Sequence, residues 1–205
     1  MTFETLPVVH LDEGRFPEYP DEEPERVLTN LARRFGRVVI VDVAGVRRND
    51  ADIEFLQQAA RKRAVWADAG SRYATDAMDL FVAGAEAVTV RWDTLQRVEE
   101  LQEAADLCQS GTLFLALEFP HGRFRAHPRD KRSAEEVVRL AESIGVGIVY
   151  VLDAGHDEVV RALPGSATPR YVQGALTPDA LQAMGFQGAM VAPALLPTEE
   201  VERVE

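Results

Sequence analysis

RVVIVDVAGVRRNDADIEFLQQAARKRAVWADAG, residues 37–70, holds one complete strand–helix–strand unit. Val38 to Val41 is an unbroken apolar run, the pattern of a strand buried on both faces. Asp50 or Asp52 then opens a helix in which Ile53, Leu56 and Ala60 share a face. The cluster Arg61, Lys62 and Arg63 closes that helix, where positive charge suits the helix dipole. AVWADA, residues 64–69, is the next strand. Each strand ends on a carboxylate, Asp42 in the first and Asp68 in the second.

The same unit recurs in both directions. Upstream, LPVVHL (6–11) is a strand, followed by an acidic, proline-rich loop and a helix over Pro24–Phe35. Val27, Leu28, Leu31 and Phe35 line one face of that helix, with Pro24 in its first turn and Gly36 as its stop. Downstream, Thr75 is placed to cap TDAMDLFVAG and Gly84 to end it. AEAVTVRW is a strand, and Asp93 or Thr94 opens a helix to about Leu107. GTLFLALEF precedes a polar loop, HGRFRAHPRDK, and Ser133 with Glu136 forms a capping box. GVGIVYVLD, HDEVVRAL, TPRYVQG, TPDALQAMG, GAMVAPALL and TEEVERVE continue the alternation. Eight strands spaced roughly 20 to 35 residues apart predict an α/β chain folded as a compact (βα)8 TIM barrel, one domain over residues 1–205. The alternative, a doubly wound open sheet, usually carries a glycine-rich turn after its first strand, and none is present.

Five strands end on an ionisable side chain: His10, Asp42, Asp68, Glu118 and Asp153. Strand ends in a parallel barrel converge on one mouth, where such barrels keep their chemistry. Asp42 and Asp68, on neighbouring strands, are expected close together with Arg72 or Arg91 between them. His10 and Asp153 form a candidate acid–base couple. Trp92 is expected at the mouth of the fourth strand, either stacked on a ring ligand or plugging the space.

The net charge of −12 sets the field against nucleic acid and anionic membrane surfaces. No apolar stretch is long enough to span a bilayer, and the acidic start of the chain lacks a signal-peptide pattern. A cytoplasmic location is the expectation. Cys108, the single cysteine, excludes an intrachain disulfide and reads as a packed thiol. No metal and no cofactor is implied. Exposed loop residues such as Phe16 and Phe124 suggest a homo-oligomer or a partner subunit.

The segments LPVVHLDEG with GRFPEYP after it, IVDVAGV, WADAGSRYATDAMDLFVAGAEAVTV, YVLDAG and YVQGALTPDALQAMGFQGAMVAPALL occur in the order of a known family. The chain resembles the histidine-biosynthesis barrels, ProFAR isomerase and its cyclase relative, and most of all the archaeal-type ProFAR isomerase-related branch. The resemblance implies acid–base residues at the first and sixth strands, here His10 in place of Asp, and Asp153. It implies phosphate grips after the third, fourth, seventh and eighth strands. In this chain those positions read Asp68-Ala69-Gly70 followed by Arg72, Arg91-Trp92, Gly174, and Ala192-Pro193. Proline offers no N–H to a phosphate. The departures predict that the isomerase reaction itself is not retained. Arg15 and Tyr19 match the related branch's loop after the first strand and are candidate substrate contacts, together with Arg72, Arg91, Trp92, Glu118 and Gly174. The branch is associated with methanopterin- or methanofuran-type C1-carrier synthesis. Two functions are therefore expected: lyase- or isomerase-type chemistry on a small anionic metabolite, or a non-catalytic binding or assembly subunit.

Overall fold

Eight parallel strands pair in chain order and close on themselves. They are β1 (Glu4–Leu11), β2 (Arg37–Asp42), β3 (Ala64–Ser71), β4 (Ala87–Arg91), β5 (Leu113–Phe119), β6 (Gly147–Leu152), β7 (Arg170–Gln173) and β8 (Gly188–Val191). Glu4 to Pro7 of β1 pair with Gly188 to Val191 of β8, which seals the barrel. The helices are α1 (Pro24–Phe35), α2 (Val43–Arg48), α3 (Ile53–Ala60), α4 (Ala74–Val82), α5 (Glu99–Leu107), α6 (Ala134–Ser143) and α7 (Pro178–Ala183). The computed structural model describes residues 3–109, 111–152, 160, 163, 165–174 and 177–196. The helix expected over 156–163 lies mostly outside the described residues, and the one over 198–205 wholly so.

Alternation along each strand divides the core in two. Leu6, Val8, Val39, Val41, Trp66, Phe114, Ala116, Val149, Tyr171 and Met190 fill the barrel interior. Their outward neighbours, including Val9, Ile40, Val65, Leu115 and Ile148, pack against the helix layer. Trp66, Phe114 and Tyr171 form an aromatic plug, with ring centroids 4.1 to 5.6 Å apart. The Trp66 indole N–H donates to Thr89 Oγ1 at 2.6 Å, so the plug leaves no buried donor unmet there. Gly147 makes room for the plug, because a Cβ at that position would meet the Phe114 ring at 2.4 Å.

Three local expectations change: first, Thr75 does not cap α4 but lies inside it, the N-cap position being Tyr73. A six-residue helix, α2, forms directly after β2, where the sequence reads as a connection. Residues 93–98, expected to begin α5, instead form turns. The Gln96 N–H donates to the Arg72 carbonyl at 2.8 Å, and the Leu95 carbonyl pairs with the His127 ring at 2.8 Å. These tertiary bonds take the backbone groups that a longer helix would need.

Candidate functional site: the barrel mouth

Ala87, Thr89 and Arg91 are alternate residues of β4. Ala87 lies in the interior cluster and Thr89 bonds the interior Trp66, so Arg91 also turns inward, at the mouth. Its guanidinium grips Asp68 through Nε at 3.0 and 3.1 Å and through Nη2 at 2.8 Å. Nη1 donates to Glu118 Oε1. The other Glu118 oxygen accepts from Arg125 Nη1 at 2.5 Å, and the same Arg125 nitrogen lies 3.4 Å from Asp93 Oδ2. Charges thus alternate along a chain, Asp68, Arg91, Glu118, Arg125, Asp93. Arg91 is only 6% exposed. Burial disfavours its charge, but the adjacent Asp68 and Glu118 outweigh that and hold the guanidinium more firmly protonated than usual.

Across the mouth, His10 follows Leu6 and Val8 on the inward face of β1. Its ring Nδ1 bonds Glu18 Oε1, and its backbone N–H donates to the same carboxylate at 3.2 Å. Glu18 comes from the loop after β1, which folds back over the strand end. Burial raises the Glu18 carboxyl, yet the bonds from His10 prevail and hold it below the ordinary carboxylate value. The His10 side chain is 39% exposed. Sequence reasoning missed Glu18: it stands one residue before Tyr19 in GRFPEYP, and no spacing signal marks it as the partner of His10.

Other expected members of the ring face elsewhere. Asp42 pairs beside Leu11, while its neighbour Val41 pairs with Asp68, so Asp42 has the opposite phase and faces the helix layer. It is 1% exposed. Its carboxylate accepts from Gly45 N at 2.9 Å and Asp52 N at 2.6 Å, capping α2 and tying down the start of α3. The expected contact of Asp42 with Asp68 does not form. Trp92 also corrects the expectation. As the residue after Arg91 it points outward, is 1% exposed in the outer core, and contacts the His127 ring at 5.7 Å. It neither stacks over the mouth nor plugs it.

Neither Arg72 nor Arg91 bridges Asp42 to Asp68: Arg91 joins Asp68 to Glu118 instead. The Arg72 backbone is held by Asp76, and its Nε is buried without a partner beside Asp93, Gln96 and His127. Arg15 is exposed, its backbone paired with Asp12. Tyr19 is partly buried against the outer core, and burial together with Glu22 and Glu18 raises its hydroxyl pKa. Gly174 follows β7 at φ 148°, where a Cβ would come within 3.1 Å of Leu152. Phe16 is 1% exposed and packs edge-on against Phe55, and Phe124 is partly covered by Phe119. Neither supplies the exposed apolar surface expected of it. Burial pushes the Cys108 thiol up, away from the reactive thiolate. Asp153 lies outside the described residues.

The turn after β3 is built for packing. Gly70 has φ 63°, and a Cβ there would stand 2.4 Å from Val46 Cα; a Cβ on Gly45 would stand 2.5 Å from the Ala69 carbonyl. Helix α2 therefore sits directly on the backbone of the turn after β3. Among the described residues no three His, Cys, Asp or Glu side chains gather to hold a metal ion, and no helix is long and apolar enough to cross a membrane.

Fold and site together define a (βα)8 barrel whose mouth carries an Asp–Arg–Glu ion-pair chain and a half-exposed His–Glu pair. No protein-family model and no curated protein matches the chain, so its class rests on the geometry.

Proposed function

We propose that this barrel performs proton-transfer chemistry of the isomerase or lyase type on a small anionic metabolite at its mouth, with His10 as the acid–base group. The observation that carries the reading is the His10–Glu18 pair. A carboxylate on Nδ1 selects the tautomer with its proton there and leaves the Nε2 lone pair to act as base. Asp153, by its place in the sequence, is the proposed second acid–base group. Asp68 and Glu118 are occupied by Arg91, so their role is to hold the mouth's shape. Arg15, whose guanidinium is bound by no carboxylate among the described residues, is the proposed contact for the anionic group. The resemblance to the ProFAR isomerase-related barrels suggests C1-carrier cofactor synthesis as the setting.

The alternative, a non-catalytic binding or assembly subunit, is favoured by one observation: Arg91 is already engaged by Asp68 and Glu118, so it offers no free cation to an anionic ligand.

Deuterium wash-in separates the two. The protein would be incubated in D2O with pools of phosphorylated and carboxylated metabolites, and C–H exchange followed by mass spectrometry. The enzyme reading expects exchange into at least one metabolite and a loss of about 100-fold or more in His10→Ala. Full activity in His10→Ala would remove His10 from the chemistry. No exchange into any metabolite would leave the subunit reading.

A further inference from the structure

On the outer flank of the barrel, at the same end as the mouth but on the helix side of β3, a cavity of about 250 Å3 lies between the α2–α3 connection, the end of β3 and α4. Ala69, Ile53 and Leu80 give it an apolar wall, and Asp50, Asp76 and Asp79 line it with carboxylates; no Lys, Arg or His lines it. Asp76 Oδ2 is occupied by the Arg72 and Tyr73 amides. Ser71 also lines the cavity. Ser71 is 2% exposed, and its hydroxyl is buried without a hydrogen-bond partner. Burying an unpaired hydroxyl is unfavourable, so the fold retains a polar group there that no described residue satisfies.

We infer that this cavity binds the ammonium group of a small aliphatic amine. An alkylammonium has three N–H donors, enough to reach Ser71 Oγ and the wall carboxylates, and an apolar stem that suits Ala69, Ile53 and Leu80. A bare metal ion fits less well, because the described carboxylates do not gather into a coordinating group. The volume, close to the lower end of small-molecule sites at about 300 Å3, suits a ligand of several heavy atoms. The inference is independent of the chemistry proposed for the mouth.

The probe is 1,4-diaminobutane, titrated into the whole chain at fixed ionic strength and followed by backbone-amide NMR. Butane-1,4-diol serves as the uncharged isostere and KCl as the simple cation. The site expects saturable diamine binding with shifts clustered at residues 49–53, 69–71 and 76–80, and no response to the diol. Ser71→Ala is expected to weaken the diamine about tenfold while leaving the free protein as stable or raising its Tm by about 2 °C. Asp79→Asn, on an exposed helix position, is expected to weaken it similarly without unfolding. Non-saturating shifts, the same shifts with KCl, or unchanged diamine affinity in both variants would overturn the inference.

Discussion

Arg91 joins two carboxylates in a nearly dry setting, so its loss and its wholesale replacement should have opposite effects. Arg91→Met leaves the buried Asp68 without its cation and Glu118 with Arg125 alone, and is expected to cost about 3–5 kcal/mol. Replacing all three by apolar residues of similar volume is expected to restore most of that or exceed the starting stability. Urea unfolding of the single and triple variants measures both. Glu18 gives a pH signature. Its folded carboxyl lies below the ordinary value, so folding favours the ionised form. That contribution is complete above the unfolded value of about 4.3 and is lost as pH falls through the lower folded value. Stability measured from pH 6 downward should decline over that window in the native chain, and less steeply in Glu18→Gln. Asp42 belongs to the backbone rather than to the mouth. Asp42→Ala strips two amide donors of their acceptor and is expected to cost about 2 kcal/mol. Denaturation would detect this, and any activity per folded molecule should be unchanged.

Among the elements, the α2–β3 contact decides what the third strand's turn can do. Gly70→Ala must fit a Cβ against Val46 while holding φ 63°. It is expected to destabilise by about 2–4 kcal/mol, from overpacking and the left-handed conformation together. Gly14, also at positive φ but with nothing within 4 Å of a Cβ, is the control. Gly14→Ala should show only the smaller conformational part of that loss. The start of α5 shows the same dependence on neighbours. The helix's end at about Leu107 was readable, but its first turn was not, because bonds to Arg72 and His127 hold residues 93–98 in turns. Local propensity is a weak prior where tertiary bonds compete for the same amides.

For the molecule as a whole, net charge and closure matter most. At −12 the folded chain repels itself, and salt should relieve that. Tm is expected to rise between low salt and about 1 M NaCl, where the screening length falls to about 3 Å. A fall over that range would mean that the ion pairs at the mouth and on the helices outweigh the net repulsion. Closure explains how legible the fold was. The (βα)8 alternation, the strand positions and the polar strand ends could all be read from the chain, because each is a local pattern of apolar runs and stops. The division of the mouth could not. A strand buried on both faces is apolar throughout, so its sequence hides which residues turn inward.

Composition and periodicity therefore determined eight strands, their order of appearance and the end of the barrel that carries the ionisable groups. Only the tertiary structure decided the phase of each strand. Pairing Val41 with Asp68 turned Asp42 to the helices, and setting Arg91 inward sent Trp92 out. The same structure brought Glu18 to His10, because a loop's return path depends on contacts distant in sequence. The physical reason is that hydrogen-bond register between neighbouring strands, absent from either strand alone, selects the face each side chain occupies.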